Sequence, residues 1–289
     1  MVWGEKTTGQ SLMSNTTHIP TVINTDDMSW MNDNTESILI FGPPKHGKTY
    51  GYMSYINNIV EKGGHVYIVS TEGGVPRTLQ RYYRDIGKQA EETLKDKVTF
   101  RRVYNVDEAR AFWLEIKDGV KKEDLFIVDL LSSFYEWLQA DFVDYISRGN
   151  ITSYIMNAMQ DPKKFGLMEG SKWNYIKAAH RFVEDIIARK RCNVICVATE
   201  KDTEGEKAIG GSKVEGKLRK IYLTDMSVRA GGPKDLPTLF DTLVRIAMVG
   251  EGEFACLVVG DRGNKPTGQA VVFGNDLKQY IDKFRGEQK

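Results

Sequence analysis

No stretch of the 289-residue sequence holds the roughly 18 consecutive apolar residues of a membrane-spanning helix, so no membrane association is expected. The amino terminus lacks a charged start followed by an apolar run, so no secretory signal is expected either. Cysteine is scarce: Cys192, Cys196 and Cys256 are an odd number, which excludes a framework of paired disulfides. They read as small buried hydrophobes of a reducing, cytoplasmic compartment. Charge of one sign is also missing. A formal net charge of +1 leaves no bulk pull toward nucleic acid, so any basic surface has to be local. Residues 1–35 lack any sustained hydrophobic period and are rich in Thr, Asn, Ser and Asp. They read as a polar tail or lid, partly ordered through Trp3, Trp30 and Met31, ahead of a core at 36–289.

From Ser37 onward, short apolar runs alternate with helical periodicity. Strands are expected at Ser37–Phe41, His65–Ser70, Val98–Val103, Leu125–Asp129 and Asn193–Thr199. Helices are expected from Thr49 to about Glu61, Pro76–Lys95, Val106–Lys117, Leu130 to about Met159, and Trp173–Arg189. This alternation implies an α/β fold with a mostly parallel sheet flanked by helices. The last part differs. Thr242–Val249, Phe254–Gly260 and Ala270–Phe273 are β-rich and separated by glycine turns, so antiparallel strands are expected at the carboxyl-terminal end. Asp276–Phe284 reads as a closing helix.

Between the first strand and first helix stands Gly42-Pro43-Pro44-Lys45-His46-Gly47-Lys48-Thr49, a full match to the pattern G-x-x-x-x-G-K-[ST]. Glycines let the backbone curl so that successive N–H groups face phosphate oxygens, and the following helix aims its positive end at the same anion. The segment from Gly42 through Tyr50 is therefore the expected nucleotide-binding element, with ATP and Mg2+ as its ligands. Lys48 would meet the β- and γ-phosphates, and Thr49 would give Mg2+ a hydroxyl. His46 reads as an ordinary loop residue.

A second metal-site group belongs at the end of a neighbouring strand. Leu125-Phe126-Ile127-Val128-Asp129 fits, with Asp129 in the Mg2+ shell; a helix-capping Asp is the plainer alternative. Leu130 and Leu131 follow, where many ring ATPases carry a Glu directly after the Asp. The candidate water-activating carboxylate is instead Glu72, expected at the carboxyl end of the second strand, where open α/β sheets bind ligands. Its alternative is a solvent-facing turn.

At these residues the chain resembles a known family. His65–Gly74, "HVYIVSTEGG", looks like the Glu-bearing element of RecA/RadA-type recombinases and KaiC-like ATPases, and the order of phosphate loop, Glu strand and Asp strand is the same. "NVICVATEK" resembles the next core strand, with Thr199, Glu200 and Lys201 where that family carries a γ-phosphate-sensing residue. "LFDTLVRI" and "VVGDRGNKPTG" look like late elements of compact phage RecA-core ATPases of the single-strand-annealing type. The resemblance covers about residues 36–275. It implies a RecA-like, Mg2+-dependent ATPase of virus-encoded type, acting in a host cytoplasm on single-stranded DNA as a homo-oligomeric ring or filament. It also implies a positive side chain that completes the site in cis or from a neighbouring subunit, for which Arg262 and Lys265 are the candidates; a solvated turn pair is the alternative. DNA contact would come from two loops. Glu200 to about Lys220 sets Lys201, Lys207, Lys213, Lys217, Arg219 and Lys220 against Asp202, Glu204, Glu206 and Glu215. Arg148–Trp173 mixes Lys163, Lys164 and Lys172 with Phe165 and Trp173. A helicase or packaging motor, and a KaiC-like nucleotide-switched regulator without DNA, are the competing readings.

Overall fold

A computed structural model describes residues 35–160, 191–202, 228–233, 235–262, 271–273 and 276–278, with Asn174, Ile176 and Ile186. All belong to the unit Thr35–Lys289, which separates from Met1–Asn34. In chain order, the described elements begin with β1 (Ser37–Gly42), α1 (Lys48–Gly51), α2 (Met53–Glu61), β2 (Val66–Ser70), α3 (Gly74–Asp85), α4 (Ala90–Leu94) and β3 (Val98–Arg102). There follow α5 (Val106–Ile116), β4 (Leu125–Asp129), α6 (Leu131–Ser147), α7 (Ile151–Gln160), β5 (Asn193–Asp202) and β6 (Val228–Ala230). A 3-10 turn at Leu236–Leu239 precedes β7 (Thr242–Gly250), β8 (Glu253–Asp261) and β9 (Val271–Phe273).

The strands form one sheet in the order β3-β2-β4-β5-β1-β7-β8-β9, with β6 pairing antiparallel to β5. β3 through β7 run parallel; β8 and β9 add antiparallel strands. The α/β class, parallel core and antiparallel carboxyl-terminal strands are thus as the sequence led us to expect. β1 is buried on both faces. Ile38 and Ile40 pack with α2 and α3; Leu39 and Phe41 pack with α5 and α6. Complete burial of each such side chain is worth about 1.5–3 kcal/mol, so the strand that feeds the glycine-bearing loop is anchored from both faces.

The amino ends of the strands are tied by buried polar side chains. Asp124 accepts from His65 N–H and Lys121 N–H, each at 2.8 Å. Asn193 accepts from Glu36 N–H at 3.1 Å and donates to Lys122 and Asp124 carbonyls. Asp241 accepts from the amide and hydroxyl of Ser37. With that end fixed, the loops at the carboxyl end are the ones left to form a site.

Three helices expected as single pieces are broken. Residues 48–61 divide at Tyr52. The Pro76–Lys95 run divides into α3 and α4 around Gly87 (φ 72°), and Leu130–Met159 divides into α6 and α7 at Arg148 and Gly149, both with positive φ. Positive φ cannot continue a right-handed helix, and apolar periodicity carries no trace of it. β6 was not expected. Of the Trp173–Arg189 helix, Asn174, Ile176 and Ile186 are helical, and both isoleucines are buried. All three cysteines are free and buried, and burial pushes the Cys192 and Cys256 thiols up to about 12. Among the described residues, no helix is long and apolar enough to cross a membrane.

Candidate functional site

The loop after β1 is shaped by its glycines and by Lys48. Gly47 caps α1 at φ 79°, a left-handed conformation that a side chain resists. Gly42 answers a different need. A Cβ there would lie 2.1 Å from the carbonyl oxygen of Ile246 on β7, so this glycine is demanded by the sheet as well as by the loop. Lys48 is buried and folds back over the curl, donating through Nζ to the carbonyls of Gly42 (3.0 Å) and Pro43 (2.7 Å). Burial pushes its ammonium below the usual lysine range, against the pull of Asp129, Glu72 and Glu200. A desolvated cation inside a ring of backbone groups suits a polyanion.

Asp129 closes β4, and β5 lies between β4 and β1. The gap is bridged from α1, where Thr49 donates its hydroxyl to Asp129 Oδ2 at 2.8 Å. Tyr52 donates to the same oxygen, also at 2.8 Å. Burial raises the Asp129 carboxyl above its ordinary value; the two hydroxyl bonds oppose that rise, Glu72 adds to it and Lys48 counters it. A hydroxyl and a carboxylate side by side are hard oxygen donors of the kind Mg2+ takes, with waters and phosphates filling the other positions. Among the described residues no group of three or more His, Cys, Asp or Glu side chains forms a more crowded cation cage.

Glu72 sits in the turn after β2, exposed, on the carboxyl edge where it was expected. The buried Ser70 hydroxyl fixes that turn, donating to Glu72 O (2.6 Å) and accepting from Glu72 N–H (3.2 Å). Thr71 N–H donates to Asp129 O at 2.8 Å, and the Thr71 hydroxyl accepts from Leu130 N–H at 3.1 Å. The Glu72 turn is therefore strapped to the Asp129 strand. Lys48, Thr49, Asp129 and Glu72 converge; Gly42 to Gly47 wrap beside them, Pro44 and Lys45 exposed at the tip. Tyr50 points away, against Tyr82 of α3 with ring centroids 5.7 Å apart.

Arg262 is not brought to this cluster. It stands opposite Asp241, at the amino end of β1 and β7, where it donates to Thr238 O and lies 3.7 Å from an Asp241 oxygen. The run of β1 from Ser37 to Gly42 puts it about 17 Å from its own chain's loop, since β-strands rise about 3.3 Å per residue. Lys265 lies outside the described residues, as do 203–220 of one basic segment and 161–173 of the other; from Arg148 to Gln160 the latter is mostly the helix α7 and not a loop. β5 runs past the expected Thr199 to Asp202; within its last part Thr199 N–H donates to Ser132 Oγ, Lys201 pairs with Glu136, and Glu200 pairs with Arg245.

Sequence reasoning missed two residues near the loop, and took a third, His46, for an ordinary part of it. Arg245 on β7 is buried, and its Nε meets Glu200 Oε2 of β5 at 2.9 Å. The pair spans β1 at its exit into the loop, since β5 and β7 flank that strand. An arginine inside an apolar strand was its one visible signal. His46 accepts from Met248 N–H through Nδ1 at 3.0 Å, tying the loop to β7, and burial lowers its imidazole below the usual range. Tyr52 gave no signal beyond a hydroxyl on a core position.

No family model matches the chain, and no curated protein matches it. Among solved structures it is similar to the crystal structure of the RadB recombinase, at 15% identity over 82% of this chain and 86% of that one, with a TM-score of 0.47.

Proposed function

We propose that this chain is a RecA-like, Mg2+-dependent ATPase that serves DNA recombination or single-strand annealing as a homo-oligomer. One observation carries the ATPase reading: Thr49 and Asp129, eighty positions apart, share a 2.8 Å hydrogen bond beside a buried Lys48 and below Glu72. Lys48 and the loop amides hold the phosphates. Thr49 and Asp129 hold Mg2+, which supplies positive charge against the β- and γ-phosphate oxygens. Glu72, exposed on a turn strapped to Asp129, orients and deprotonates the attacking water. The charge that completes the site is Arg262 or Lys265; Arg262 faces away from its own loop and would serve a neighbouring copy, while Lys265 would act in cis or in trans. The DNA role rests on the resemblance of the loop, Glu and Asp elements to recombinases and on the two basic segments of the sequence. The near-neutral net charge favours a second reading, a nucleotide-switched regulator that needs no DNA.

ATP turnover with and without single-stranded DNA separates these, alongside DNA binding at two salt concentrations. Stimulation and salt-sensitive binding are expected; their joint absence leaves the regulator. In the same assay Lys48→Ala should lose nucleotide binding or turnover, and Glu72→Gln should bind normally and lose turnover. Normal turnover by Glu72→Gln would refute its role.

A further inference from the structure

Tyr52 belongs to no phosphate-loop pattern, yet the helix behind the loop is interrupted at it. α1 ends at Gly51, Tyr52 adopts φ −100° and ψ 0°, and α2 starts at Met53. The Tyr52 carbonyl still accepts from the N–H groups of Tyr55 and Ile56, each at 3.1 Å, so the break leaves α2 capped. The side chain is fully buried in the layer between α2, α3 and the sheet. A phenol in that place needs a partner, since an unbonded buried hydroxyl costs about 1–3 kcal/mol. The core offers apolar neighbours that a phenylalanine would meet equally well. The hydroxyl reaches Asp129 instead.

The geometry at Asp129 is one-sided. Thr49 of α1 and Tyr52 at the break after it both donate to Oδ2; Oδ1 takes neither bond. The terminal torsion of an aspartate is broad, so a donor held rigidly in the core limits the carboxylate's turning by fixing the oxygen it bonds. Thr49 is itself assigned to the cation and is not free to act as a permanent anchor. Tyr52 is set back in the core and is.

We propose that Tyr52 is a positioning residue for the cation site: it grips Asp129 by Oδ2 and thereby presents the other carboxylate oxygen to a hydrated divalent cation beside Thr49. This rests on the reading that Thr49 and Asp129 hold Mg2+. Groups that orient a metal's ligands change metal affinity by about 10–100-fold.

The test uses the full chain, Tyr52→Phe, and Mn2+ as probe, with free Mn2+ read by electron paramagnetic resonance beside a non-hydrolysable ATP analogue. Mn2+ affinity should fall about 10-fold or more. Analogue binding in EDTA and the melting temperature in EDTA should stay near those of the wild type. In an Asp129→Asn background the same substitution should change nothing further, since Tyr52 acts through Asp129. Unchanged Mn2+ affinity in Tyr52→Phe would overturn the proposal, as would an equal loss in both backgrounds. An unfolded Tyr52→Phe would overturn it too, by making the phenol a folding group. Failure of the wild type to bind Mn2+ with the analogue would instead remove the Mg2+ assignment, and the proposal with it; that outcome is told apart because it needs no variant.

Discussion

Replacing Gly42 by alanine separates the demands of the sheet from those of the phosphate. The added Cβ would meet the Ile246 carbonyl oxygen at 2.1 Å and its carbon at 3.1 Å, both backbone atoms that no rotamer change removes. Relief requires β1 and β7 to part by almost 1 Å to reach even a 3.0 Å contact. β1 is bonded to β5 on its other side, so the displacement cannot be absorbed by moving one edge. Overpacking of this sort costs about 1–3 kcal/mol, and a side chain at φ 155° adds about 1–3 kcal/mol more. The expected loss is about 2–6 kcal/mol. For a domain of this size that lowers the melting temperature by about 4–24 °C. The assay is thermal unfolding by circular dichroism without nucleotide, with Gly87→Ala as comparator. At Gly87 the strain is a positive φ alone, since an added Cβ meets nothing within 4 Å, so its loss should be the smaller. A Gly42→Ala protein that melts within about 2 °C of wild type would refute the reasoning, because that is the effect of well under 1–2 kcal/mol.

Asp129→Asn should raise the apo protein's melting temperature at pH 7 while weakening, but leaving measurable, Mn2+ binding beside the nucleotide analogue. The sign follows from a carboxyl raised above its ordinary value. The unfolded state releases its proton first, so a destabilising contribution grows as pH climbs through and above the ordinary carboxylate range. The gain should therefore vanish below about pH 4, where both states are protonated; an undiminished gain there would contradict it. Arg245→Met should destabilise by about 3–5 kcal/mol by stranding the largely buried Glu200, and adding Glu200→Gln should recover part of that loss in a double-mutant cycle. Strict additivity would show that the pair is not coupled.

The parts of the fold that were legible in the sequence are those whose signal is local. Ser37–Phe41, Leu125–Asp129 and Asn193–Thr199 are apolar runs that belong in a doubly covered sheet, and all three are strands within it. The phosphate loop is legible because its chemistry depends on eight consecutive residues. Glu72 and Asp129 follow, because a strand's last residue reaches the carboxyl edge whatever the strand order. Tyr52 and Arg245 were not legible, since their partners stand 77 and 45 positions away and only the register between strands brings them together. The helix breaks at Tyr52 and Arg148 were hidden for a related reason: hydrophobic period reports a buried face, not the backbone angle that interrupts it. Arg262 shows the opposite limit. Its glycine-flanked turn suggested a cation reaching the site in cis or in trans, and the hairpin of β7 and β8 returns it to the far end of its own sheet, away from its own loop.

The strand between β1 and β4 acts as a gauge block. Two inter-strand steps of about 4.8 Å separate the loop strand from the Asp129 strand. Backbone hydrogen bonds, not side chains, fix that width, so chemistry at the site can vary by substitution while its span cannot. Slipping β5 by one residue would leave the width intact but turn Glu200 and the whole exit of the strand to the opposite face, unseating Arg245. The pairing of Ser37 with Val194 and of Leu125 with Asn193 therefore calibrates the site from its far end.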